Sequence, residues 1–237
     1  MRLISPPSVC KFLFPALIWQ MPEGEKCLYL TFDDGPHPTI TPQVLDILHR
    51  YNAKATFFCI GNNVQEHPET FELLKKEGHS VGSHTFNHEN GWKTKDKDYV
   101  ESVIAANNLI HSDLFRPPHG RIRFSQIMKI RKYCKDAQYN ATTSASHAPN
   151  FTPLTFNFVA WTVIAYDWDK GLTSQQVCNN VINNAKDGSI IAFHDSEKAY
   201  PRMIEALPKV LEYYTEKGYS FKAITQSGSN QNPAQTF

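Results

Sequence analysis

The sequence has no Cys-x-x-Cys pair, no appreciable net charge, no apolar run long enough to cross a bilayer and no detectable internal repeat. Its five cysteines (Cys10, Cys27, Cys59, Cys134 and Cys178) are odd in number and scattered, which argues against a disulfide framework and for a reducing compartment. Cys27 and Cys59 lie within apolar runs, where cysteine behaves as a small buried hydrophobe. With 24 Lys and Arg against 23 Asp and Glu, the net charge of +1 gives no electrostatic reason to expect nucleic acid or an anionic membrane as partner. The apolar stretch 9–19 follows Arg2, but Lys11 and Pro15 interrupt it and no small-x-small cleavage site comes after it. It is also too short for a transmembrane segment. Residues 1–24 are therefore expected to pack on the domain. Without a recognisable signal peptide the location expected from sequence is cytoplasmic, with envelope association or export by another route left open.

What is there suits one large domain. The 237 residues are 41% hydrophobic and 20% charged, enough to bury a sizeable core. Short apolar, β-branched runs alternate with amphipathic helical patterns. Cys27-Leu28-Tyr29-Leu30-Thr31-Phe32, Ala55-Thr56-Phe57-Phe58-Cys59-Ile60, His79-Ser80-Val81-Gly82-Ser83, Leu114-Phe115, 156–164 and Ser189-Ile190-Ile191-Ala192-Phe193 read as strands. Helices are expected from Thr41-Pro42 with Thr41 as N-cap, over 68–76, 99–111 and 124–133, after a Thr173/Gln176 capping box, and over 201–216 with a kink at Pro208. A closing strand is expected within 219–224. Residues 135–155 are polar and aperiodic, as in an inserted surface excursion, and the tail 226–237 reads as disordered. Two glycosylation sequons, at Asn140 and Asn150, are matches by spelling alone. The unit of strand, polar residues and helix recurs about seven times, which implies an α/β fold with a mostly parallel sheet. The polar residues gather where strands end, the edge at which such folds build their chemistry.

The stretch that organises the chain is Leu30-Thr31-Phe32-Asp33-Asp34-Gly35-Pro36, which carries two adjacent carboxylates off a strand into a sharp turn. Two anions at a strand mouth cost free energy unless a cation or a shared proton compensates. Further along, His84-Thr85-Phe86-Asn87-His88 places two imidazoles four residues apart, on one face if the segment forms a helical turn. With one of Asp33 and Asp34 they make a two-His, one-carboxylate set that leaves coordination positions open. The other carboxylate is then free to act as a general base.

In order, Thr31-Phe32-Asp33-Asp34-Gly35-Pro36, His84-Thr85-Phe86-Asn87-His88, Arg116-Pro117-Pro118-His119-Gly120, Asp167-Trp168 and Phe193-His194-Asp195 resemble the motifs of the polysaccharide deacetylase (NodB-homology) family across roughly residues 25–225. The resemblance implies a distorted (β/α) barrel of about seven parallel strands in a single domain. It implies a divalent metal, usually zinc, with cobalt, manganese, nickel or iron as alternatives, and hydrolysis of N-acetyl or less often O-acetyl groups on an aminosugar glycan. Carried over by motif, Asp34, His84 and His88 match the metal ligands. Asp33 matches the base that deprotonates water, and His194 the acid that protonates the departing amine. Arg116 matches the residue that holds the base by charge pairing, and Asp167 one that orients a neighbouring polar group. Pro118, His119 and Gly120 fall in the stretch whose backbone helps bind the oxyanion, and Trp168 is a candidate platform for a sugar ring.

Three positions depart from the family pattern. His119 replaces an aromatic such as Tyr, Ile164 stands where many members have a further Asp, and Ala192 replaces a Leu and is expected to open space beside the site. None removes a ligand, the base or the acid. The expected protein is a monomeric, metal-dependent deacetylase of N-acetylglucosamine-type saccharides. The alternatives are a deacylase of another small amide or imide, and a glycan-binding barrel without catalysis.

Overall fold

The computed structural model describes residues 3–143 and 156–225. In chain order the elements are α1 (Ser8–Leu13), β1 (Leu17–Ile18), β2 (Cys27–Asp33), α2 (Ile40–Arg50), β3 (Ala55–Cys59), α3 (Gly61–Glu66), α4 (Pro68–Lys76), β4 (Ser80–Ser83), α5 (Asp96–Ile110), β5 (Leu114–Phe115), a 3-10 turn (Pro118–Gly120), α6 (Phe124–Thr143), β6 (Asn157–Val159), β7 (Val163–Ile164), α7 (Ser174–Ile182), β8 (Ile190–His194), α8 (Tyr200–Glu216) and β9 (Ser220–Phe221). Among the described residues, eight strands lie side by side in the order β1-β6-β5-β4-β3-β2-β8-β7, and β9 pairs with the start of β2. Every pairing is parallel. The sheet curls into an open barrel with one strand more than the expected seven.

Alternation along the strands decides what faces the barrel axis. Successive side chains of a strand point to opposite faces. In β2, Leu28, Leu30 and Phe32 join the outer core beneath α2 and α8. This sends Thr31 and Asp33 inward. In β8, Ile191 and Phe193 go outward, so His194 goes inward beside Asp33, its register partner. Phe32 stacks on Phe57 at 5.0 Å and on Phe193 at 6.0 Å, tying three neighbouring strands together directly behind the two polar side chains. The helices meet this layer through regular apolar stripes, such as Met203, Leu207, Val210, Leu211 and Tyr214 of α8.

Several expectations are corrected. The 156–164 run is two strands, β6 and β7, separated at 160–162. α2 starts at Ile40, not after Thr41, whose hydroxyl instead accepts from the His37 backbone N–H and donates to Asp195. The α8 helix continues through Pro208. α6 extends to Thr143, so the first part of the 135–155 stretch is helical; 144–155 and the 226–237 tail lie outside the described residues. The Thr173/Gln176 capping box is present. Near the N-terminus, β1 pairs with β6, and the Ile164 N–H donates to the Ile4 carbonyl across the barrel's open seam. Among the described residues no helix is long and apolar enough to cross a membrane.

Candidate active site

The C-terminal ends of β2, β4, β5 and β8 bring the motif residues to one mouth. Asp33 closes β2, and Asp34 follows with φ +80°, a value rarely adopted by residues with a side chain. This sharp reversal lets two consecutive carboxylates take different directions. Asp34 points to the imidazoles: its Oδ1 lies 3.3 Å from His88 Nε2 and 3.9 Å from His84 Nε2.

His84 and His88 do not sit on a helical turn, contrary to the spacing argument. They belong to an irregular loop after β4 in which Thr85 and His88 both have positive φ, and their rings meet at 5.1 Å. The loop is pinned from outside the motif. The Ser102 hydroxyl of α5 accepts from the Phe86 N–H and donates to Glu89, the Glu89 N–H donates to the Thr85 hydroxyl, and the N–H groups of Gly61 and Asn62 hold the carbonyls of Thr85 and Phe86. Glu89, to which no motif gave a role, is thus a brace for the ligand loop. No sequence signal marks it, because Ser102 belongs to a different element.

The three side chains suit a divalent cation. Their donor atoms lie within 4.8 Å of one another. Asp34 Oδ1 is buried and has no hydrogen-bond partner, a costly state for a carboxylate oxygen unless a cation answers it. His84 Nδ1 is 2.8 Å from the Arg116 carbonyl and donates to it, leaving the Nε2 lone pair for a metal. Burial, reinforced by His88, holds His84 well below its ordinary pKa, so its ring is neutral and competent to ligate.

Asp33 belongs to a separate network. Fully buried Arg116 donates from Nη1 to Asp33 Oδ1 at 2.7 Å and to the Thr31 hydroxyl at 2.6 Å, and from Nη2 to the Ala160 carbonyl at 2.8 Å. Its guanidinium lies 4.1 Å from the Phe58 ring centre. Burial lowers the pKa of Arg116 while Asp33 raises it, the pattern of a desolvated ion pair. Thr31 was unassigned by motif, although its i, i+2 spacing to Asp33 places it on the same face.

On the opposite side, Asp167 is fully buried and grips His194 twice. Oδ1 lies 2.9 Å from the ring Nδ1, and Oδ2 accepts from the His194 backbone N–H at 2.8 Å. Burial by itself would lower the His194 pKa. The Asp167 charge and hydrogen bond, with Asp34 and Asp33 further off, raise it to about 9. Trp168 packs edge-on against His194 at 4.5 Å. Asp195, a second residue without a motif role, is buried under the turn, and a Cβ on Gly35 would strike its carboxylate at 2.2 Å.

His119, with φ +58°, packs edge-on against His88 at 4.5 Å, so the departure from the family aromatic lies beside a ligand. Pro118 is buried, whereas His119 and Gly120 are exposed, and Trp161 covers Gly120 so closely that a Cβ there would meet its ring at 2.5 Å. Ile164 is half-buried in register with fully buried Ala192.

A parallel barrel with a two-His, one-Asp cluster at its strand ends, a separately held carboxylate and an Asp-bound histidine defines a metal-dependent hydrolase. The polysaccharide deacetylase family model matches residues 20–141, and the chain belongs to that family. It is 34% identical over 214 residues to a peptidoglycan-N-acetylglucosamine deacetylase of Bacillus cereus, covering 88% of this chain and 91% of the relative. A chitooligosaccharide deacetylase of Azorhizobium caulinodans is 30% identical over 180 residues, covering 73% and 75%. A crystal structure of a peptidoglycan N-acetylglucosamine deacetylase superposes with a TM-score of 0.76 at 27% identity, covering 90% of this chain and 94% of that one. The family is metal-dependent.

Proposed function

We propose that the protein is a divalent-metal-dependent deacetylase that hydrolyses N-acetyl groups on N-acetylglucosamine-type glycans. The observation that carries this reading is the division of labour between adjacent carboxylates, with Asp34 turned to two imidazoles and Asp33 held away from them by Arg116. Asp34, His84 and His88 would hold the ion, and their nitrogen and oxygen donors favour zinc, with cobalt, manganese, nickel or iron as substitutes. When bound, such an ion polarises the acetyl carbonyl and lowers the pKa of water toward neutrality.

The chain's own residues supply the proton movements. Asp33 has Oδ1 engaged by Arg116 and takes the proton of the attacking water at Oδ2. Arg116 keeps this buried carboxylate oriented by charge pairing. The N–H groups of Gly120 and Arg121 are engaged by the carbonyls of Pro117 and Pro118, which leaves that of His119 as this turn's donor to an oxyanion. His194 has Nδ1 fixed on Asp167, so it delivers its proton from Nε2 to the leaving sugar amine. The two titrating groups have opposite tasks and opposite surroundings, one beside a guanidinium and the other beside a carboxylate.

The test is acetate release from N-acetylglucosamine oligomers before and after chelation, with Asp33→Asn alongside. Chelation should abolish release and a divalent metal restore it. Asp33→Asn should retain the metal while kcat falls about 10²–10⁴-fold, the usual worth of a general base. Release that survives chelation, or an Asn variant of undiminished rate, would overturn the reading.

A further inference from the structure

Two loops meet at the mouth through His88 and His119, and each carries one prominent exposed group just beyond that contact. Trp92 follows His88 by four residues and is 58% exposed, a large apolar surface that the fold has not buried. Arg121 follows His119 by two residues, is exposed, and places its guanidinium 5.2 Å from the centre of the Trp92 ring. The pair is built from behind. A Cβ on Gly91 would come within 2.3 Å of the Arg121 carbonyl, Gln126 Nε2 donates to the Gly91 carbonyl at 2.8 Å, and Arg123 donates to the Trp92 carbonyl at 2.6 Å. Arg123 itself is engaged by Asp96, whereas Arg121 pairs with no carboxylate among the described residues. The shelf is therefore held from behind while the indole and the guanidinium both stay open to solvent.

We infer that Trp92 and Arg121 form a subsite for the sugar next to the one being deacetylated, and that they select a sugar bearing a carboxylate. An indole face suits the apolar face of a pyranose ring. A guanidinium stacked on an aromatic keeps its edge free for a bidentate hydrogen bond to a carboxylate, a geometry Lys cannot reproduce. In a glycan of N-acetylglucosamine type, that ligand is the lactyl carboxylate of an adjoining N-acetylmuramic acid unit. The inference rests on the glycan-deacetylase reading and narrows it from neutral N-acetylglucosamine chains to alternating acidic ones.

The experiment compares two tetrasaccharides, one of N-acetylglucosamine alone and one alternating with N-acetylmuramic acid, on the metal-loaded full chain. Affinity is read by tryptophan fluorescence and turnover separately by acetate release. Arg121→Gln should weaken binding and raise KM about tenfold for the alternating tetrasaccharide, leave kcat unchanged, and leave the neutral one unaffected. Methyl esterification of the lactyl groups should reproduce that loss in the parent protein and add nothing in the variant. Trp92→Ala should weaken both ligands. Equal effects of Arg121→Gln on both tetrasaccharides, or on neither, would overturn the subsite. Absence of acetate release with discrimination in binding intact would instead overturn the deacetylase reading.

Discussion

His194 is the residue whose charge state depends most visibly on its neighbours. Its folded pKa is raised to about 9 from 6.5, burial opposing and Asp167 prevailing. In the metal-free protein its contribution to stability is therefore complete below pH 6.5 and is lost as pH rises through about 9. A ring titration by NMR should place its midpoint near 9. Asp167→Asn should bring that midpoint down, because burial is then opposed only by the more distant charges of Asp34 and Asp33, and added divalent cation should lower it by offsetting the charge on Asp34. A midpoint unmoved by Asp167→Asn would remove Asp167 from this role. Arg116 stands at the other extreme, a charge that never titrates and is fully buried. Removing one partner of a buried pair leaves the other uncompensated, so Arg116→Met should cost about 3–5 kcal/mol in urea unfolding as well as most of kcat.

Among the elements, β4 shows how a glycine reaches the chemistry without touching it. A Cβ on Gly82 would lie 2.7 Å from the ring of Phe58, and that ring supports the Arg116 guanidinium at 4.1 Å. Neither neighbour has room to move in a packed interior. Gly82→Ala should destabilise by about 1–3 kcal/mol, the usual range for overpacking, and should lower kcat more than it raises KM, since it displaces the partner of Asp33 rather than a substrate contact. Thermal unfolding and steady-state kinetics on one preparation check both halves. The ligand loop illustrates the opposite strategy. It has no helical hydrogen bonds to hold its shape, so Ser102 of α5 holds it through the Phe86 N–H and through Glu89, the loop's own brace.

For the molecule as a whole, the barrel brings together at one rim residues from β2 and from the loop after β4 that are some fifty positions apart in the chain. That arrangement stores a cost in Asp34 Oδ1, which is buried without a hydrogen bond until a cation arrives. Metal should accordingly stabilise the fold by mass action, by about 4 kcal/mol at a thousandfold excess over the dissociation constant. Calorimetry should show Tm rising with zinc in the parent and scarcely at all in His88→Ala. An equal rise in both would exclude His88 as a ligand.

Much of this was legible in the chain itself, because the alternation of strands and helices is a local hydrophobic pattern and the motifs are short. The count of strands was not, since β6 and β7 form a single apolar run whose division depends on which neighbours each half pairs with. That His84 and His88 meet one of the paired carboxylates could be read from residue type, and the choice of Asp34 from the family resemblance, but not the irregular, positive-φ loop that achieves it. Thr41 has the spelling of a helix cap and serves Asp195 instead, a partner supplied by the far end of the chain. Glu89 and the Trp92–Arg121 shelf carry no local signature, and Asp195 lies in a motif that gives it no role. Their roles arise from contacts between distant elements, and those are set by how the barrel closes rather than by any one segment.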